Sequence, residues 1–306
     1  MGRKVFLSFL GTNDYVNCNY YDELTDKKIE DVRFIQEALV QLYCNDFTSD
    51  DKILIFLTEN AKKENWIDGP SGKEKRFEKG LNTKLKELSL KATIESVNIK
   101  EGYSQKEIWD IFNTIFDRLE DNDEIILDIT HGFRTLPMLG MVLLNYSKFL
   151  KNVKVKSIHY GAFEKLGPAY MVKKIELKER NAPILNLIAF DELQQWSVGA
   201  DNFVNYGNAE KIIKLINDET SLRLKMTKGK DEDAKILNGF KIKLTESLEL
   251  FSTIRLWRVY QKIKFAKFFV KIIFKFTKKI IERNLKGNKP KLSYFDFYKL
   301  GYLCSL

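Results

Sequence analysis

The sequence is poor in several residue types and patterns that would indicate common functions. Its 306 residues include only two histidines and three cysteines, and Cys18, Cys44 and Cys304 show no Cys-x-x-Cys spacing. An odd, unpatterned set of cysteines indicates a reduced, cytosolic compartment rather than a disulfide framework. No run of about 18 apolar residues predicts a membrane span, and the N-terminal apolar run is too short for a signal peptide. Neither Gly-x-Gly-x-x-Gly nor a P-loop pattern occurs, so a dinucleotide or P-loop site is weakly supported.

The composition that is present predicts a folded protein with an uneven charge distribution. Apolar residues make up 44% and aromatic residues 13%, enough for a packed core in one large or two ordinary domains. From residue 241 to the end there are 16 Lys and Arg against four Asp and Glu. The preceding residues carry 35 basic and 38 acidic side chains. We interpret the basic segment as a linker or interface helix, because no nucleic-acid-binding motif accompanies it.

Apolar patterning divides the chain into an alternating part and a helical part. Predicted strands cover residues 4–10, 52–57, 92–99, 124–127, 153–160 and 169–177. Predicted helices cover residues 31–43, 73–90, 104–119 and 135–150, and another begins at residue 61. This alternation predicts an α/β domain over residues 1–180, with a mostly parallel sheet, helices on both faces and a terminal hairpin that places an antiparallel strand at an edge. Residues 181–306 form an all-helical segment in this interpretation, with helices over residues 184–206, 208–226 and 232–284.

Three predicted turns follow strands and carry polar side chains. In the turn after residue 127, the free N–H groups of the following helix favour an anion, and Gly132 lets the backbone approach a phosphate. Arg134 either contacts that phosphate or pairs with a neighbouring carboxylate on the surface. The turn at residues 11–15 either contacts the ligand or is an ordinary loop. Thr58 either contacts the ligand or caps the helix that follows. His131 is a candidate for ligand contact, for a structural role or for catalysis, whereas we expect Asp128 to brace the turn.

The turn after residue 127 also carries a resemblance to a known family. Asp128, Thr130, His131 and Gly132 form an Asp-x-Thr-His-Gly motif. This motif resembles the signature of the DxTHG group of CRISPR-associated proteins, which carry a CARF domain, a Rossmann-like sensor of cyclic oligoadenylates. The resemblance extends in order through residues 8–12, 57–61, 160–163 and 196–209. It therefore covers roughly the first two-thirds of the chain.

The resemblance implies a cyclic oligoadenylate sensor of a type III CRISPR antiviral system. The activating ligand would be a ring of four or six adenylates bound across a CARF homodimer, in the cytoplasm, with no cofactor, no metal, no membrane contact and no direct DNA binding. The helical segment would contribute to the dimer and activate an effector allosterically. The expected ligand-binding residues are Gly11, Thr12, Asn13, Tyr15, Thr58, Glu59, Asn60, Thr130, His131, Gly132, Phe133 and Arg134.

The effectors of the resembled group need residues that this chain lacks. A HEPN ribonuclease uses an Arg-x(4–6)-His motif, and no histidine follows Arg255, Arg258 or Arg283. A zinc-dependent adenosine deaminase needs His and Cys ligands that are likewise missing. We therefore expect no catalytic residue here and an effector domain absent from this fragment. The alternative is a ring nuclease that cleaves the cyclic oligoadenylate itself.

Overall fold

The computed structural model describes residues 2–71, 76–131 and 136–246, together with the short stretches 274–275, 277–279, 281–283 and 298–299. The chain divides into two compact units, Met1–Asp191 and Glu192–Leu306. The first unit contains every strand that the structure describes, and the second is helical in its described part.

Within the described residues, ten strands and eight α-helices have defined bounds at both ends. The strands are β1 (Lys4–Leu10), β2 (Cys18–Asp22), β3 (Lys27–Val32), β4 (Lys52–Leu57), β5 (Gly69–Ser71), β6 (Arg76–Glu78), β7 (Thr93–Asn98), β8 (Glu124–Asp128), β9 (Lys154–Gly161) and β10 (Asn181–Asn186). The helices are α1 (Ile35–Tyr43), α2 (Glu59–Ala61), α3 (Leu81–Glu87), α4 (Gln105–Phe116), α5 (Leu136–Lys151), α6 (Ala169–Val172), α7 (Ile188–Tyr206) and α8 (Glu210–Met226).

Eight strands form one sheet in the order β3-β2-β10-β9-β8-β1-β4-β7. Its β9-β8-β1-β4-β7 part is entirely parallel. β10 pairs antiparallel with β9 and parallel with β2, and β3 closes this side as the antiparallel partner of β2. The predicted mostly parallel α/β sheet is confirmed.

Side-chain alternation along the central strands builds two cores on opposite faces of the sheet. On β1, Phe6 and Leu10 face the core that contains residues of α1 and α3, while Val5, Leu7 and Phe9 face the core that contains residues of α4 and α5. Successive residues of a strand point to opposite faces, so both faces of a fully buried parallel strand must be apolar. Helices therefore cover both faces, as the sequence predicts.

The antiparallel side of the sheet departs from the prediction in two places. Residues 169–177, expected to be a strand, contain α6 and no strand, because Pro168 begins a short helix and only Val172 of that helix is buried. The antiparallel partner of β9 is instead β10, which includes Pro183 and overlaps the predicted helix 184–206. β10 is also not an edge strand, since it pairs on both sides.

The hairpin β2–β3 was not predicted at all. β3 has the sequence KKIEDV, and only its last residue is buried, so it lacks the apolar alternation that indicates a strand. Its place at the sheet edge explains the charges, because an edge strand must resist pairing with other chains.

The predicted helix 73–90 is also wrong in its first half. β6 occupies Arg76–Glu78, and α3 begins only at Leu81. Gly80 precedes α3 and donates its N–H to Asp68 Oδ1 at 2.8 Å. A Cβ at Gly80 would lie 2.3 Å from the Trp66 carbonyl oxygen, so only glycine fits where the chain turns from β6 into α3.

The second unit has a small core of its own. Ala209, Ile212, Ile216 and Leu244 are buried, and Trp196, Phe203, Ile213 and Leu237 pack against them. Residues 232–246 are helical. Of the rest of the predicted helix 232–284, the structure describes only the stretches 274–275, 277–279 and 281–283, which are helical, so most of the basic and phenylalanine-rich face lies outside the described residues. None of the helices in the described part of the chain is long and apolar enough to cross a bilayer.

Candidate ligand-binding site

The candidate site lies at the carboxyl ends of three adjacent parallel strands. β1 lies between β4 and β8, with Leu10 opposite Leu57 and Leu7 opposite Leu127. The residues that follow these strands, namely the first loop (residues 11–15), the second loop (residues 58–60) and the third loop (residues 129–131), therefore share one edge of the sheet. In open α/β sheets this edge is where ligands bind.

Asp128 joins β8 to β1 immediately beneath the third loop. Its Oδ2 accepts a hydrogen bond from Ser8 Oγ at 2.6 Å, and its Oδ1 accepts from the Thr130 N–H at 2.9 Å. Asp128 and Ser8 are fully buried. Burial raises the pKa of the Asp128 carboxyl, whereas the bonds from Ser8 and Thr130 act to lower it. Asp128 thus braces the turn, as the sequence predicts.

The Thr130 side chain connects the third loop to β9 through a hydrogen bond. Its Oγ1 accepts a hydrogen bond from the Gly161 N–H at 2.8 Å, and the Ile129 N–H donates to the His159 carbonyl oxygen at 3.0 Å. The loop is therefore held on the β1 side by Asp128 and on the β9 side by Thr130.

His131 projects from the third loop against the first loop. Its ring packs edge-on to the Tyr15 ring, with 4.7 Å between centroids and an interplanar angle of 89°. The His131 Nε2 atom is buried and has no hydrogen-bond partner among the described residues. Burial lowers the pKa of His131 to about 4, so the imidazole is neutral at pH 7 and offers one donor and one acceptor nitrogen.

Tyr15 organises the first loop. Its hydroxyl oxygen accepts a hydrogen bond from the Gly11 N–H at 3.1 Å, and its ring packs on Phe34 with 4.9 Å between centroids. Burial raises the pKa of the Tyr15 phenol, so it remains protonated. Thr12 and Asn13, at the tip of this loop, are exposed.

In the second loop, Thr58 caps α2 and Asn60 bonds the segment between β7 and α4. Thr58 is 5% exposed, and its Oγ1 accepts a hydrogen bond from the Ala61 N–H at 3.3 Å, which confirms the capping alternative. Glu59 and Asn60 are exposed, and Asn60 Nδ2 donates to Glu101 Oε1 at 2.8 Å. Ligand contact by these three residues stays a prediction.

The structure thus brings Gly11, Tyr15 and His131 into direct contact and places Thr12, Asn13 and Thr130 beside them. The predicted ligand residues Gly132, Phe133 and Arg134 lie outside the described residues. Sequence reasoning missed Asn65, which donates hydrogen bonds to the first loop. A lone asparagine inside a predicted helix carries no signal that would have identified it.

No cation-binding arrangement stands out in the ranges 2–71, 76–131 and 136–246. Within the described residues, no three His, Cys, Asp or Glu side chains are grouped to hold a metal ion. Cys18 and Cys44 are free and buried.

A sheet with a parallel centre, helices on both faces and polar loops at the carboxyl ends of its central strands defines a Rossmann-like domain. Residues 5–164 match the family model described as "CRISPR system endoribonuclease Csx1, CARF domain". The chain belongs to this CARF-domain family and is a CRISPR-associated protein.

A relative from Methanocaldococcus jannaschii agrees with this assignment. The chain is 30% identical over 242 residues to CRISPR-associated protein MJ1674 of that organism. The matched stretch covers 75% of this chain and 36% of the relative. The chain thus spans about a third of the length of that relative.

Proposed function

We propose that this chain is the cyclic oligoadenylate sensor of a type III CRISPR antiviral system. The observation that carries the proposal is the His131 imidazole in the third loop of a CARF domain, whose buried Nε2 has no hydrogen-bond partner among the residues that the structure describes. Buried polar nitrogens normally have a partner. A bound nucleotide would supply one through its base, ribose or phosphate oxygens.

The chemistry of the three loops suits a ligand with many hydrogen-bonding groups. The first loop exposes the hydroxyl of Thr12 and the amide of Asn13 beside the neutral His131 ring. α5 begins five residues after His131 and is 16 residues long, so the positive end of its dipole lies on this side of the domain. An adenylate ring offers both the polar edges and the phosphates that such a site would bind.

A general base at His131 is less consistent with the geometry than a ligand contact. Efficient proton transfer needs a pKa near the operating pH, and burial holds the pKa of His131 at about 4. We therefore favour binding over ring cleavage by this histidine.

The sensor would work as a homodimer through the outward face of α5. Met138, Val142, Tyr146, Phe149 and Leu150 share this face, and each is at least 46% exposed. Large exposed apolar patches on single domains mark interaction sites. α5 contains no acidic residue and only two lysines.

Both lysines of α5 are engaged within their own unit and leave its outward face uncharged. The Lys148 ammonium forms an ion pair with Asp191. Lys151 Nζ donates to the carbonyl oxygens of Phe116 and Leu119, both at 2.7 Å. A two-fold axis beside this helix would place two copies of the third loop near one another, and one symmetric ring could then contact both copies.

The helical unit would transmit ligand binding to an effector located outside this chain. The curated relative is about three times as long as the stretch it shares with this chain. A HEPN ribonuclease and a zinc-dependent adenosine deaminase are the two effector classes we propose. Binding would act by shifting the relative orientation of the two subunits. We place the whole system in the cytoplasm, without direct DNA binding by this chain.

Isothermal titration calorimetry tests the binding proposal. Cyclic tetra-adenylate and cyclic hexa-adenylate are titrated separately into the chain, with AMP and a linear tetra-adenylate as controls. We expect one of the two cyclic oligoadenylates to bind saturably, with a stoichiometry of one ligand molecule per two protein chains. AMP should show no comparable binding. Absence of binding by both rings, with the protein folded, would remove the proposal.

A further inference from the structure

Asn65 lies directly behind the candidate site, on the segment that follows the second loop. α2 is capped by Thr58 and continues without a break into a π-helical turn, Lys62–Trp66. Asn65 is the fourth residue of this turn and is 1% exposed. π-Helical turns are rare and occur frequently at functional sites, because the wider turn redirects a side chain that an α-helix would point elsewhere.

The Asn65 amide is bonded to the backbone of the first loop. Its Nδ2 donates to the Gly11 carbonyl oxygen at 2.9 Å and to the Asn13 carbonyl oxygen at 3.1 Å. A primary amide has two N–H donors, so one side chain satisfies two carbonyl groups of the same loop. These bonds join the segment that follows β4 to the loop that follows β1, and the bonded residues are 54 and 52 positions apart in sequence.

The first loop in turn contacts the histidine of the third loop. The Gly11 N–H donates to the Tyr15 hydroxyl at 3.1 Å, and the Tyr15 ring lies 4.7 Å from the His131 ring. Asn65 and Tyr15 therefore hold Gly11 through its carbonyl oxygen and its N–H, respectively. A change at Asn65 is passed to His131 through Gly11 and Tyr15, although Asn65 itself has no described contact with His131.

We infer that Asn65 is a positioning residue, which sets the first loop and, through Tyr15, the His131 imidazole in the geometry that binds the ligand. The inference rests on the proposed function for the nature of the ligand. The contact path from Asn65 to His131 is a property of the free protein. It is therefore testable even if the ligand is not a cyclic oligoadenylate.

The chain offers a matched control for this residue. Asn19 on β2 is 3% exposed, and its Nδ2 also donates two hydrogen bonds, to the Leu177 carbonyl oxygen at 2.8 Å and to Asn181 Oδ1 at 3.2 Å. Asn19 lies on β2 after the first loop, but its side-chain amide bonds residues that precede and begin β10 rather than the backbone of the first loop. Asn65→Leu and Asn19→Leu thus each remove a side-chain amide that donates two hydrogen bonds, at two positions of similar burial.

Two measurements are made on the wild type and on both variants. The first is the affinity for the cyclic oligoadenylate that the wild type binds. The second is the NMR spectrum of the imidazole groups in the free protein, which is simple because the chain contains only two histidines, His131 and His159. Thermal unfolding checks that each variant is folded.

We expect Asn65→Leu to weaken ligand binding by about tenfold or more and to shift the His131 imidazole signals while those of His159 stay in place. Asn19→Leu should change neither the affinity nor the His131 signals, although it lowers the thermal midpoint. If Asn65→Leu unfolds the protein, Asn65→Ser is used instead, because its smaller hydroxyl cannot bridge both carbonyl groups.

Wild-type affinity and unmoved His131 signals in a folded Asn65 variant would overturn the inference. If the wild type binds no cyclic oligoadenylate, the proposed function fails, and the His131 signals alone decide whether Asn65 positions this site.

Discussion

The loop end of the sheet and its antiparallel side each contain one of the two histidines, in different surroundings. At the loop end, the His131 ring packs edge-on against Tyr15 of the first loop. On the antiparallel side, His159 is 1% exposed, stacks on Tyr43 with 4.1 Å between ring centroids, and its Nε2 lies 2.8 Å from Ser157 Oγ.

Both histidines have a pKa lowered by burial to about 4, and each has one buried ring nitrogen without a partner among the described residues. Burial and pKa therefore do not distinguish a binding histidine from a structural one. Position in the fold does: His131 lies in the loop after β8, at the sheet edge where ligands bind in open α/β sheets, whereas His159 lies within β9 and stacks on Tyr43 of α1.

The largest effect should come from the outward face of α5, which begins beside the loop end. Val142→Lys combined with Phe149→Glu should weaken dimerisation by more than about 100-fold, because burying each apolar side chain contributes roughly 1.5–3 kcal/mol. Sedimentation velocity over a concentration series measures this change. The control pair is Leu24→Lys with Phe77→Glu, which alters two equally exposed apolar residues elsewhere. A wild type that stays monomeric would contradict the dimer.

The histidines themselves give the next effect. His131→Ala should weaken binding of the cyclic oligoadenylate by roughly ten- to a hundredfold, since a hydrogen bond to a charged group contributes about 1.5–3 kcal/mol. His159→Gln should leave the affinity unchanged within experimental error. Calorimetry on both variants measures the difference. Equal losses of affinity in the His131 and His159 variants would contradict the assignment of ligand binding to the loop end of the sheet.

The two histidines should contribute equally to the pH dependence of the free energy of unfolding. A histidine that is kept neutral by burial binds its proton less readily in the folded state, so the folded protein loses stability as the pH falls from about 6.5 towards 4 and keeps it above 6.5. Each histidine should contribute on the order of 2 kcal/mol between pH 7.5 and pH 5.

Urea unfolding at these two pH values is the measurement. His159→Gln should reduce the pH dependence by about the same amount as His131→Gln. A pH dependence that only one substitution removes would mean that the other histidine is already charged or exposed in the folded protein.

The smallest effect should come from Thr58. Thr58→Ala removes the cap of α2 and should lower the free energy of unfolding by about 1 kcal/mol, with the affinity for the ligand changed by less than about threefold. Thr58→Ser, which keeps the capping oxygen, should restore the stability. Thr58→Ala and Thr58→Ser both lack the threonine methyl group. If both variants lost affinity tenfold, this methyl group would instead be part of the ligand site.

The parallel centre of the sheet could be predicted from the sequence because its strands are buried on both faces. After their first lysine, β1 (KVFLSFL) and β4 (KILIFL) are almost wholly apolar, and their predicted bounds, 4–10 and 52–57, are confirmed. The N-cap of α4 at Ser104 was also predictable, since the Glu107 N–H donates to Ser104 Oγ only three residues away. Local patterns of this kind need no knowledge of the rest of the fold.

The antiparallel side and the geometry of the site were decided by tertiary structure. β3 is charged and β10 contains a proline, so neither has strand propensity of its own, and both are strands only because β2 and β9 pair with them. The sequence itself determined that His131, Tyr15 and Gly11 stand in turns after strands. Only the fold brought these turns together and placed the Asn65 amide behind them, because hydrogen bonds between residues more than 50 positions apart leave no periodic trace in the sequence.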